Sequence, residues 1–77
     1  MNNEFCFITY LDVLDHVKNA AKDNHFIVSE VTPISDGLES CQVWVVDEGS
    51  SRTTLTRAFY LGRRIKNIEY YREKFRL

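Results

Sequence analysis

An α+β domain built on a small antiparallel sheet is the fold class this sequence predicts, and three features predict it. The first is a helical stripe of apolar residues running from Tyr10 toward Asp23. The second is a pair of strand-like runs, Phe26–Ile34 and Cys41–Asp47, separated by the turn signal Ser35-Asp36-Gly37. The third is a basic amphipathic segment, Arg63–Arg76. The 77 residues suffice for one domain, 1–77, with element order β-α-β-β-β-α. The simplest packing is a three- to four-stranded antiparallel sheet with two amphipathic helices on one face.

Phe5–Ile8 reads as a short, largely buried strand, and Thr9 with Asp12 three residues on resembles a helix N-cap. Tyr10, Val13, Leu14, Val17, Ala20 and Ala21 then fall on one helical face. Asp12, Asp15, His16, Asn19, Lys22 and Asp23 fall on the other, and Asn24 suits a left-handed helix end. Phe26–Ile34 is rich in β-branched residues; its Pro33 cannot donate to a ladder and belongs on an edge or at a strand end. Cys41–Asp47 sets Cys41, Val43 and Val45 against Gln42, Trp44 and Val46. The two runs form an antiparallel hairpin. After the turn Glu48–Ser51, the threonines and aromatics of Thr53–Leu61 favour a further strand. A helical period, with Ser50 or Ser51 as cap, is the competing reading of that segment. Gly62 then separates that strand from the last helix, Arg63–Arg76, whose inner stripe is Ile65, Ile68, Tyr71 and Phe75, with Arg64 and Arg72 snorkelling beside it.

Charge is unevenly spread along the chain. Residues 1–51 hold two lysines against nine acids, a net −7; residues 52–77 hold eight cations against two acids, a net +6. Such polarity points to a basic surface that meets something acidic. Apolar residues at 44% and charged residues at 27% are ordinary globular composition. The Met1–Glu4 start lacks a basic leader, and no apolar run reaches membrane-spanning length. A soluble, cytoplasmic protein with Cys6 and Cys41 as buried free thiols is therefore expected.

The outward face of the last helix, Arg63, Lys66, Tyr70 and Lys74, is the leading candidate for partner binding. Cations at helical spacing can follow an acidic surface or a phosphate backbone, and an outward tyrosine can stack or pack. Glu69 and Glu73 stand beside it in sequence and would weaken that attraction. Trp44 is the second candidate. Gln42 would be an awkward buried neighbour, so the tryptophan's side of the strand is expected on the uncovered sheet face; the opposite facing would bury Trp44 instead.

Catalytic and metal chemistry find little support. Asp12, Asp15 and His16 cluster on one helix face without a second group of ligands. Both cysteines lie in apolar runs, which raises a thiol pKa. Glycine occurs only at 37, 49 and 62, so no glycine-rich loop cradles phosphate. The sequence points away from an enzyme, and no metal or cofactor is expected.

A helix, three antiparallel strands and a second helix is an order similar to that of double-stranded-RNA-binding domains. Gly62-Arg63-Arg64-Ile65-Lys66 resembles their basic cluster at the start of the last helix. The loop Ser35–Ser40 departs from their minor-groove sequence, and the last helix lacks their alanine-rich packing face. The resemblance implies nucleic-acid binding through the last helix.

Two functional expectations follow. The first is a small non-enzymatic binding protein that occludes or bridges a protein or ribonucleoprotein partner with an acidic surface. Phage and mobile-element genomes encode many accessory proteins of this size, inhibitors of host-defence complexes among them. The second is the nucleic-acid-binding module. A homodimer driven by the opposite charges and the uncovered sheet face is also compatible, and no membrane association is expected.

Overall fold

The computed structural model describes residues 4–34 and 37–75. The protein is α+β. Its elements are β1 (Glu4–Tyr10), a 3-10 turn (Leu11–Val13), α1 (Leu14–Asp23), β2 (Phe26–Ile34), β3 (Gly37–Asp47), a second 3-10 turn (Ser51–Thr53) and α2 (Thr54–Phe75). The three strands form one antiparallel sheet in the order β1-β3-β2. The predicted turn residues Ser35 and Asp36, and Arg76, lie outside the described residues.

Strand alternation divides the sheet cleanly. Cys41, Val43 and Val45 of the central strand are fully buried, and Phe5 and Phe7 of β1 and Phe26, Val28 and Val31 of β2 join them on that side. Both helices cover this face. α1 contributes Val17, Ala20 and Ala21, with Val13 just ahead of it, and α2 contributes Leu61 and Ile65. The two alanines bring the α1 backbone close to the sheet. The predicted outer face of α1 is exposed throughout.

The structure corrects several expectations. Thr53–Leu61 is not a strand: Thr53 closes the 3-10 turn and residues 54–61 begin a 22-residue helix, so the described order is β-α-β-β-α. The similarity to double-stranded-RNA-binding domains rested on a third strand in that segment, and it does not hold. The physical reason is local. Thr53 and Thr54 stand at the helix start, where their hydroxyls serve helix-end contacts and low interior propensity costs little. Ser50 is the cap of this turn, its side chain accepting from the Arg52 amide.

Gly62 lies inside α2 rather than before it, on an exposed face. Thr9 is no N-cap; it ends buried in β1 and its hydroxyl donates to Glu69 at 3.0 Å. At the end of α1, Asn24 keeps a negative φ of −103° and donates its side-chain amide to the Ala20 carbonyl, while His25 takes the left-handed conformation at φ 64°. Cys6 is exposed on the open face, so only Cys41 is a buried thiol, and burial pushes its pKa up. The inner stripe of α2 runs Leu61, Ile65, Ile68 and Arg72; Tyr71 is exposed, and the side chain of Phe75 lies outside the described residues.

Candidate partner-binding face

Three arginines fix how α2 is rotated about its axis. Arg57, in its first turns, forms a 2.7 Å ion pair with Asp47 at the end of β3. The same guanidinium donates to the Ser50 carbonyl at 2.7 Å and the Asn24 carbonyl at 3.1 Å, and it stands over the Phe26 ring. The Thr54 hydroxyl also donates to Asp47. That hydroxyl, with the Gly49 amide and Arg57, holds the Asp47 carboxyl below its ordinary pKa against the opposing effect of desolvation.

Midway along the helix, Arg64 pairs with Asp23 of α1 at 2.7 Å, with both side chains largely in water. Near the C-terminal end, Arg72 does not snorkel. Its side chain is 5% exposed, its guanidinium carbon lies 3.6 Å from the centroid of the Tyr10 ring, and its Nε donates to Asp12 at 2.8 Å. Hydrogen bonding to Asp12 raises its pKa further. A planar cation stacked on an aromatic face and paired with a carboxylate sits in a site that lysine could not fill in the same way.

Much of the charge polarity of the sequence is therefore satisfied inside the chain. Arg57, Arg64 and Arg72 of the basic segment pair with Asp47, Asp23 and Asp12 of the acidic one. These contacts span 10 to 60 positions. The acids of the basic segment are engaged as well: Glu69 accepts from Thr9, and Glu73 accepts from Arg72 at 3.1 Å.

What remains is turned outward by the same rotation. The side chains of Arg63 and Lys66 are exposed and make no ion pair or hydrogen bond among the described residues. Tyr70 is 58% exposed, with the Lys74 ammonium 5.7 Å from its ring centroid. The four helical residues predicted to form a site are thus brought together on one face. Trp44 is not part of it. It stands half-buried on the opposite, open side of the sheet, between Cys6 of β1 and Glu30 of β2, as the position of Gln42 led one to expect.

Two residues of the face were missed by the strand reading of Thr53–Leu61. Leu55 is 86% exposed and Phe59 63% exposed, and both lie on the side of α2 that bears Arg63 and Lys66. The spacing Leu55, Phe59, Gly62, Lys66 is the helical signal that could have found them. The face is therefore apolar toward its N-terminal end and basic and aromatic toward its C-terminal end.

Among the described residues no group of three or more His, Cys, Asp or Glu is placed to hold a metal ion, and Asp12 is taken up by Arg72. No helix among them is long and apolar enough to cross a membrane. Comparison with protein-family models, with curated proteins and with solved structures gives no match.

Proposed function

We propose that the protein is a small binding protein that docks the outer face of α2 on a macromolecular partner with an acidic surface, occluding or bridging it. One observation carries this reading: among the described residues Arg63 and Lys66 make no ion pair or hydrogen bond, while the neighbouring surface cation Arg64 is paired with Asp23, and they stand beside the exposed apolar side chains of Leu55 and Phe59. Cations next to solvent-exposed leucine and phenylalanine suit a protein surface that offers both carboxylates and an apolar pocket. A phosphate backbone would use the cations and leave the apolar half idle.

The test is capture of partners from host lysate by tagged wild type and by the Arg63→Glu/Lys66→Glu and Phe59→Ala variants, each with and without nuclease. The proposal expects nuclease-resistant capture that both variants lose while keeping the wild-type circular dichroism. Nuclease-sensitive capture that Phe59→Ala leaves intact supports nucleic-acid binding instead. Full capture by the folded double variant overturns the assignment of this face.

A further inference from the structure

The two edges of the sheet are built differently. β2 is blunted in the ways natural edges usually are: Pro33 withholds a backbone N–H, a register shift between Val28 and Glu30 leaves Ser29 bulged, and Glu30 is exposed. β1 carries none of this. From Glu4 to Tyr10 it pairs with β3 without a register shift, it holds no proline, and its one charged residue is its first. Among the described residues no strand lies beside its outer row of N–H and C=O groups.

This open edge adjoins the docking face of α2. A groove of about 240 Å³ lies between them, with Phe5, Phe7 and Ile8 on the strand side. Its helix side is apolar at Ala58, Leu61 and Ile65 and charged at Lys66 and Glu69. A neighbouring hollow on α2, lined by Phe59 and Arg63, shares Ala58, Gly62 and Lys66 with the groove. The strand edge and the docking face are therefore one continuous surface that meets at Gly62. There an added Cβ would meet nothing within 4 Å, so packing inside the chain does not require glycine. Glycine in a helix interior is unfavourable relative to alanine, and its usual return is close approach by another backbone.

The charges of the groove select an acid at one place. Glu69 accepts from Thr9 and does not pair with Lys66 one turn earlier, so that ammonium is open to a carboxylate from outside. Glu4 and Glu69 stand toward the two ends of β1 and repel acids there.

We propose that β1 takes up an extended acidic segment of the partner protein as a fourth strand of the sheet. The proposal rests on the α2 docking face and gives its partner a form. An added strand lies ~4.8 Å beyond β1 and sends alternate side chains to the two faces of the sheet. Those on the helix side enter the groove beside Phe5, Phe7 and Ala58, and the one that reaches Lys66 is aspartate or glutamate. Those on the other side pack beside Ile8, which is 60% exposed. Main-chain hydrogen bonds to the edge supply affinity, and the alternating side chains supply specificity. Charge favours such a segment over β1 of a second copy, whose only charged residue is the glutamate at its end.

A displayed library of random short peptides is panned on the full-length protein, on Lys66→Glu and on Gly62→Leu, whose side chain has room within the chain and fills the groove. Wild type should enrich peptides of alternating β-branched or apolar residues with one central acid. Lys66→Glu should exchange that acid for lysine or arginine, and Gly62→Leu should enrich neither set. With the enriched peptide bound, amide exchange should slow along β1 and stay unchanged along β2. No enrichment, enrichment without the acid, or binding that leaves β1 exchange unchanged overturns the proposal. Protection of β1 that rises with protein concentration in the absence of peptide overturns it in favour of a second copy. Should Gly62→Leu fail to fold, the charge exchange at the exposed Lys66 decides. The two readings fail separately. Strand addition alone fails if folded Gly62→Leu keeps the lysate capture that Arg63→Glu/Lys66→Glu loses, and the docking face itself fails if that double variant captures fully.

Discussion

Arg57 holds Asp47 at 2.7 Å, tying the first turns of α2 to the last residue of β3, with only 12% and 2% of the two side chains exposed. The pair sits where α1, the sheet and α2 converge, since the same guanidinium reaches the Asn24 carbonyl. Stability should depend on pH through this carboxylate. Its folded pKa is depressed, by the Thr54 hydroxyl first and by Gly49 and Arg57 after it. The contribution is therefore complete above the unfolded carboxylate value, about pH 4, and is lost as pH falls through the lower folded value. Thermal melts of wild type and Asp47→Asn across the acid range check this. The variant should melt lower at neutral pH, and the gap should narrow toward acid.

Two glycines should respond to alanine with opposite signs. At Gly62 a Cβ enters open space in a helix interior, so Gly62→Ala should stabilise the protomer by ~0.5–1 kcal/mol. At Gly49 a Cβ would come within 2.9 Å of the Arg57 guanidinium carbon. That group is held by Asp47, Ser50 and Asn24 and cannot swing aside freely, so Gly49→Ala should destabilise. Denaturant titrations of the two variants side by side test the pair.

Arg72 and Arg64 should differ sharply although both form ion pairs. Arg64 and Asp23 are solvent-exposed partners, and Arg64→Ala should cost ~0–1 kcal/mol. Arg72→Ala removes a nearly buried side chain from the Tyr10 ring and should lower Tm well beyond that. Arg72→Lys should rescue only part of the loss, because an ammonium does not stack as a guanidinium does. Equal melting of the alanine variants would contradict this account.

Leu61 is 1% exposed between α2 and the sheet, and Leu61→Ala should destabilise by ~2–5 kcal/mol. For a domain of this size that is a large part of the total. Asp15→Ala and His16→Ala, on the exposed face of α1, should stay within ~0.5 kcal/mol of wild type. Chemical denaturation distinguishes the two groups.

Trp44 should report on the open sheet face. Being half-buried there, it should emit at intermediate wavelength and be quenched by iodide in the protomer. Partner docking through α2 should leave that quenching unchanged, because the helices cover the other side of the sheet. Protection of Trp44 on binding would place the partner on the sheet instead.

The parts of the fold legible in the sequence were those decided by local period. Val13, Val17, Ala20 and Ala21 repeat at three and four and are all buried; Cys41, Val43 and Val45 repeat at two and are buried together. Gln42 correctly placed Trp44 on the open side, because a polar neighbour on one strand face is a local fact. Thr53–Leu61 failed because threonine propensity describes helix interiors, whereas Thr53 and Thr54 act through their hydroxyls at a helix start. The strip Arg63, Lys66, Tyr70 and Lys74 was legible as one face of a helix. That Glu69 is engaged elsewhere was not, since its partner Thr9 lies 60 positions away; Glu73 accepts from its neighbour Arg72, which is itself held by Asp12, again 60 positions away. The ring of Tyr10 beneath Arg72 leaves no trace in spacing.

Pro33 and the register shift between Val28 and Glu30, which leaves Ser29 bulged, have a consequence for strand addition. They blunt β2 as a template for a further strand. Growth of this sheet by strand pairing is therefore closed on the β2 side, and an open-ended fibre would require β2 first to lose its proline and its bulge.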